Sequence, residues 1–245
     1  MQYVSSPADA ITARAKKEGA TASTSATDTA SQAASAAKEA DVAIVFITAD
    51  SGEAYITVEG NAGDRSDLNA WHNGNDLVKA VANVSKNVVV VVNSVGPIIM
   101  ESFADLDNVK AIVWAGLPGQ EAGNALVDVL YGDVSPSGKL PYSIAKNAKD
   151  YGTTIQATTD SYREGLFIDY RALDQNKIAP RYEFGYGLCE FIPKAALYPA
   201  LVAELTVIQH TPPLTTPPCP SPGRPPRAQN PVLQSQEVHL RSSKP

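Results

Sequence analysis

The chain has 245 residues, 44% of them hydrophobic and 19% charged, with a formal net charge of -6, enough for one well-packed domain plus further segments. The acidic balance excludes the basic face that phosphate binding requires, and with it a nucleic-acid partner. No apolar run approaches the ~18–20 residues that span a bilayer, and the start, Met1-Gln-Tyr-Val-Ser-Ser-Pro7, lacks the basic-then-apolar order of a secretory signal.

In chain order, Ser6 reads as the cap of a first helix, with Pro7 in its first turn, running through Ala8–Lys17 and stopping at Gly19. A Ser/Thr/Ala-rich stretch follows, and Asp28 to Ala40 predicts a second helix of good formers with little apolar face. Three apolar runs then read as strands buried on both faces: Val42–Thr48, Val88–Val92 and Val109–Trp114. Between the first two, Asp76–Asn83 predicts a helix. Between the second and third, Pro97–Phe103 predicts a short one. After the third, Gly116 to Tyr131 predicts a glycine turn and a helix ended by Gly132. Strands alternating with helices imply an open, mostly parallel α/β sheet sandwiched between helices, with right-handed crossovers.

The character changes towards the C-terminus. Twelve of the 18 prolines fall in residues 193–245, so residues 189–245 are expected to form a proline-rich, disordered tail. Cys189 and Cys219 have no metal spacing and read as two unpaired thiols, a disulfide being the other possibility. Asn83-Val-Ser85 is an N-glycosylation acceptor pattern.

The chemistry-bearing residues cluster after the first buried strand, in a loop with Asp50, Glu53, Glu59, Asp64 and Asp67, followed by Arg65, Trp71 and His72. An acid past the carboxyl end of a parallel strand stands where open α/β sheets present their ligands. Gly52 is expected to bend the backbone there, and Tyr55 to wall a pocket that partly buries Glu53. Carboxylates beside aromatics suit glycosidic chemistry, in which one acid protonates the leaving oxygen and a second carboxylate assists at the sugar carbon. Other uses remain open from the residues alone. Asp50, Glu53 and Glu59 are hard oxygen donors, though their spacing is not that of a calcium loop and no histidine pair points to a transition metal. Leu117–Gly123 at a helix start offers backbone amides to an anion, without the glycine order or the Lys-Ser/Thr of a phosphate loop.

The order of the motifs resembles the C-terminal α/β sandwich domain of fungal β-glucosidases in glycoside hydrolase family 3. The resemblance runs through Asp50-Ser-Gly-Glu-Ala-Tyr55, Glu59-Gly-Asn-Ala-Gly-Asp-Arg65, Ser94-Val-Gly-Pro97 and Trp114-Ala-Gly-Leu-Pro-Gly-Gln-Glu-Ala-Gly-Asn124. It continues through Asp128-Val-Leu-Tyr-Gly132, Pro136-Ser-Gly-Lys-Leu-Pro141, Glu164-Gly-Leu-Phe-Ile-Asp-Tyr-Arg171 and Tyr182-Glu-Phe-Gly-Tyr-Gly-Leu188. It assigns residues 1–188 to that domain and implies hydrolysis, with retention, of terminal β-D-glucosyl residues in cellobiose-type substrates. Glu53 aligns with the general acid/base, Tyr55 with a position lining the sugar site, and Asp50 is expected beside it as a substrate-binding residue. No metal or cofactor is implied. The nucleophile belongs to a (β/α)8 barrel absent from this chain, against which the domain would pack, and the parent family is extracellular.

Departures from the family set further expectations. The chain opens after the family's first sandwich strand, so the sheet is expected to lack one strand. The pattern is lost after Leu188, as in a truncated or mis-spliced product. Ala54 stands where glycine is frequent. Gly116, Gly119 and Gly123 are expected to allow close packing, Pro136–Pro141 to form a turn leading to a short edge segment, and Trp114 to join the core. Glu164 and Asp169 are expected in a strand pattern, paired with Arg163 or Arg171. The isolated chain is expected not to hydrolyse aryl β-glucosides. The alternatives are a non-catalytic sugar-binding or regulatory remnant and, outside the family, a flavodoxin-like nucleotide-binding domain.

Overall fold

The computed structural model describes residues 3–154 and 161–187 and the backbone of Glu204–Gln209. Cys189, Cys219 and the proline-rich run from residue 210 onward lie outside the described residues.

Helix α1 (Pro7–Lys17) starts where the sequence predicts, because the Ser6 hydroxyl accepts the Asp9 amide at 3.1 Å and Pro7 needs no partner at the first turn. Strand β1 (Thr21–Ala26) follows, then α2 (Ala30–Ala37) and β2 (Val42–Ala49). A loop carrying the hairpin β3 (Thr57–Val58) and β4 (Asn61–Ala62) leads to α3 (Gly74–Ala82), β5 (Val88–Ser94), β6 (Val109–Trp114) and α4 (Ala122–Leu130). The short helix α5 (Tyr170–Gln175) and strand β7 (Glu204–Gln209) complete the elements.

The main sheet has the order β1-β7-β2-β5-β6, and every pair in it is parallel. Alternate residues of the two central apolar strands face opposite layers. Ala43, Val45 and Ile47 join Val88, Val90 and Val92 under α2 and α3. Val42, Ile44 and Phe46 join Val89 and Val91 under α1 and α4. Each fully buried valine or isoleucine contributes about 1.5–3 kcal/mol, so β2 and β5 form the stable centre from which the loops project. The fold is the predicted α/β sandwich.

Several local expectations need correction. The segment from residue 189 was expected to hold no regular structure, yet β7 lies inside the sheet, pairing β1 on one side and β2 on the other. No proline interrupts the chain between Pro199 and Pro212, and Leu205, Val207 and Ile208 are good strand formers. The sheet position between β1 and β2 is therefore filled. Strand β1 itself carries no apolar alternation, and its small polar residues on an exposed edge hid it from the hydrophobic pattern. Pro97–Phe103 is not a helix, because its chain is drawn towards the preceding loop by Ile99 donating to the Leu68 carbonyl at 2.7 Å. Strand β6 is only partly buried, as an edge with one strand neighbour.

The three glycines after β6 divide their roles. A Cβ at Gly123 would stand 2.3 Å from the Ser6 carbonyl oxygen and 2.9 Å from Ala10 Cβ, so α4 meets the start of α1 there as expected. Gly116 instead supplies a turn with φ +61°, and Gly119 faces open space. Trp114 packs against the core, and its indole donates to the Tyr142 hydroxyl at 3.0 Å.

Residues 164–169 form turns rather than a strand, leaving Leu166, Phe167 and Ile168 exposed by 74%, 48% and 58%. Asp169 caps α5 and pairs with neither arginine. Its carboxylate accepts the Ser143 amide at 3.1 Å and the Ser143 hydroxyl at 2.6 Å. The Pro136–Pro141 segment meets the chain near Tyr186, where Leu140 donates to the Tyr186 carbonyl at 2.8 Å. Arg181 ties the same region down by forking onto Glu101 and Asp105, and these hydrogen bonds hold both carboxyl groups below their ordinary range.

Candidate functional site

The acid-bearing loop leaves the sheet at Ala49 and returns beside it, with Trp71 donating to the Thr48 carbonyl at 2.8 Å. Val95 donates to the Ala49 carbonyl at 3.1 Å, which brings the loop after β5 to the same end of the sheet. This is the carboxyl end of adjacent parallel strands, the edge at which such sheets carry ligands.

The loop is organised from its backbone. Ile56 donates to the Glu53 carbonyl at 2.8 Å, and Gly63 donates to the Ile56 carbonyl at 3.1 Å. Thr57 pairs with Ala62 and Val58 with Asn61, leaving Glu59 and Gly60 as a two-residue connection. Both have positive φ, 49° and 85°, as a type I′ hairpin turn requires. The Asn61 amide reinforces the return by donating to the Gly63 and Asp64 carbonyls. Gly52 is required by contact rather than by the bend first expected: a Cβ there would lie 2.1 Å from the Ile56 oxygen and 2.6 Å from the Gly63 oxygen.

Ala54 sits in the left-handed region, with φ 50°. That conformation costs a residue with a Cβ about 1–2 kcal/mol, which explains why glycine suits the position. Ala54→Gly is therefore expected to stabilise the loop by about 1 kcal/mol, measured as slower hydrogen exchange of the Ile56 and Gly63 amides. Unchanged or faster exchange would show that the strain is absent.

The predicted site residues are all on this loop, but the pocket is not closed around them. Glu53 and Asp50 are exposed, and Tyr55 is 91% exposed. The expectation that Glu53 is partly buried against Tyr55 is thus corrected: the hairpin carries both residues out from the sheet end. Asp50 accepts the Ser51 amide at 2.7 Å. Glu59 is drawn off to His72, whose Nε2 lies 2.5 Å from its carboxylate, and His72 Nδ1 stands 3.9 Å from Asp28. Among the described residues no group of three or more histidine, cysteine or acidic side chains is gathered to hold a metal. At the start of α4, the Gly123 amide already donates to the Ser5 carbonyl at 2.8 Å, so the weak anion-cradle reading has lost one of its donors.

Arg65 escaped the sequence reading as a site residue. Its amide donates to the Ser51 hydroxyl at 3.0 Å, across the neck of the loop. Its side chain lies against Gly96, where a Cβ would come within 3.0 Å of Nη2. Burial pushes the guanidinium below its ordinary range, against the opposing effects of nearby Tyr142, Tyr151 and Asp67. Only the adjacency of Gly63-Asp-Arg65 to the acid loop hinted at such a role.

Residues 1–189 match the Glycosyl hydrolase family 3 C-terminal domain. The chain belongs to this family. Over 187 residues the family 3 domain is 64% identical to a protein named "Probable beta-glucosidase L" from Aspergillus fumigatus, covering 76% of this chain and 25% of that one. Over 189 residues it is 55% identical to a beta-glucosidase from Schizophyllum commune, covering 74% of this chain and 98% of that sequence. It superposes on the crystal structure of the Beta-D-glucoside glucohydrolase from Trichoderma reesei with a TM-score of 0.74 at 64% identity, over 76% of this chain and 26% of that one. The chain thus spans about a quarter of the length of most of these relatives. Among the described residues no helix is long and apolar enough to cross a membrane.

Proposed function

We propose that this domain supplies the acid/base half of a retaining β-glucosidase acting on terminal β-D-glucosyl residues of cellobiose and cello-oligosaccharides. Glu53 protonates the departing glucosidic oxygen and later takes a proton from the incoming water. The observation that carries this reading is the setting of Glu53. It is exposed on a backbone-braced loop at the carboxyl end of a buried parallel strand, so its carboxylate is offered to a partner surface beyond the sheet.

A retaining mechanism needs a second carboxylate about 5–5.5 Å from the first. In this reading that nucleophile comes from a (β/α)8 barrel packed against the domain, with Tyr55 and Asp50 contributing this side of the sugar site. The exposed Tyr162, Leu166, Phe167, Ile168 and Phe184 support a second body packed on the domain. Burial of Glu53 between the two bodies would supply the raised proton affinity that an acid catalyst uses. The parent enzyme is secreted in this reading. Asn83 is exposed at the end of α3, on the approach to the amino end of β5, so a glycan there leaves the acid loop open.

The test joins the chain to the barrel portion of the Trichoderma reesei relative and follows nitrophenol release from 4-nitrophenyl β-glucoside. Turnover is expected only from the joined protein, and Glu53→Gln is expected to lower it about 10²–10⁴-fold. Much of that loss should be recovered with azide and a dinitrophenyl leaving group that needs no proton. Turnover by the chain alone, or indifference to Glu53→Gln, would sink the proposal.

A further inference from the structure

Three segments converge where β2 and β5 end. The acid loop closes its neck through Arg65 N–H to Ser51 Oγ, two residues before Glu53. The Ser94–Gly96 turn is fixed by the buried Ser94 hydroxyl, which donates to the Gly96 carbonyl at 2.6 Å. The third segment is braced by Tyr151, whose hydroxyl donates to the Ser143 carbonyl and accepts the Ala145 amide, both at 3.0 Å. The Arg65 guanidinium abuts Gly96, and Tyr142 and Tyr151 of the third segment lie near enough to act on its charge.

We propose that Arg65 is a positioning residue for Glu53, a guanidinium peg that pins the acid loop to the Ser94–Gly96 turn and to the Tyr142–Tyr151 segment. Gly96 is the matching half of the device, because a Cβ there would stand 3.0 Å from Nη2 and push the guanidinium back by a few tenths of an ångström. The cost of the arrangement is visible. Among the described residues, Nη1 of Arg65 is buried without a hydrogen-bond partner. A buried donor with no protein partner is expensive, so the packing that holds the guanidinium here has to offset that cost. Arginine suits the place better than lysine, since its guanidinium keeps its charge when buried and is a rigid planar group rather than a point charge on a flexible stem. The catalytic meaning of the peg rests on the reading of Glu53 as acid/base; the mechanical claim does not.

The experiment therefore has two arms. In the 245-residue chain, hydrogen exchange is read at the loop amides of Ile56 and Gly63 and at the core amides of Val45 and Val90. Arg65→Met is expected to speed exchange at the loop amides about tenfold while leaving the core amides unchanged, and Arg65→Lys to restore part of the protection. Gly96→Ala should reproduce the effect, and the double variant should show little more than either single one. In the protein joined to a barrel, Arg65→Met should lower kcat about tenfold or more with KM little changed, since substrate still binds but the acid is misplaced. Loop amides that ignore Arg65, core and loop amides that move together, or additive effects of the two sites would overturn the peg. A loop freed as described with kcat unchanged would leave the mechanical peg standing and overturn its role in positioning Glu53, whose own part in catalysis Glu53→Gln tests separately.

Discussion

A chain ending at Ala203 is expected to lose cooperative folding, whereas one ending at Thr211 keeps it. The difference between them contains β7, which pairs with β1 from Thr21 to Ala26 and with β2 from Val42 to Val45. Without it, β1 loses the strand it pairs with in the sheet order and β2 becomes an edge. The vacancy cannot close simply. Strands lie about 4.8 Å apart, so β1 would have to move by one full spacing while α1 and α2 stay packed on their layers. Buried amides and carbonyls of β2 would otherwise face no partner, at about 1–3 kcal/mol each. Several such losses match the ~5–15 kcal/mol that holds a domain folded. Thermal unfolding followed by circular dichroism decides the matter, and equal midpoints for the two chains would show that β7 adds nothing.

Gly52→Ala should have the opposite signature, a local lesion with the sheet intact. The added methyl would stand 2.1 Å and 2.6 Å from two carbonyl oxygens of the acid hairpin, so one or both strands of the hairpin must move. The bonds that fix Glu53, from Ile56 to the Glu53 carbonyl and from Gly63 to the Ile56 carbonyl, lie on that path. On the acid/base role proposed for Glu53, a displacement near 1 Å costs about 100-fold in rate, so the joined two-part enzyme should lose at least that much in kcat. Thermal stability should barely change, because the hairpin lies outside both core clusters. Gly60→Ala is the control. It meets open space, and its positive φ alone costs about 1 kcal/mol. Equal effects of the two substitutions would show that contact at Gly52 is not the constraint.

How far the sequence reveals this molecule depends on what each segment uses to hold itself. Strands β2 and β5 are runs of valine and isoleucine buried on both sides, so hydrophobicity alone located them to within two residues. Helix α1 announced itself through Ser6 and Pro7. Strand β1 did not, because its place comes from backbone pairing with β7 and its side chains carry no pattern. Strand β7 was obscured by its proline-rich surroundings. At the site, Glu53, Tyr55 and Asp50 were readable as a loop after a strand, and the family motifs gave them roles. Their exposure was not readable, since it depends on where a hairpin points rather than on which residues it contains. The role of Arg65 was equally hidden, because it joins segments widely separated in sequence.

The pairing of Thr21 with Glu204 also sets the order in which this protein can be made. During synthesis β1 emerges well before its partner, which is the last described strand to leave the ribosome. Until then β1 waits with an unpaired edge, while β2, β5 and β6 already have one another. Contacts of such long sequence separation form slowly and leave intermediates prone to association. The nascent chain should therefore need its greatest protection, from chaperones or from low concentration, in the interval before its last strand arrives.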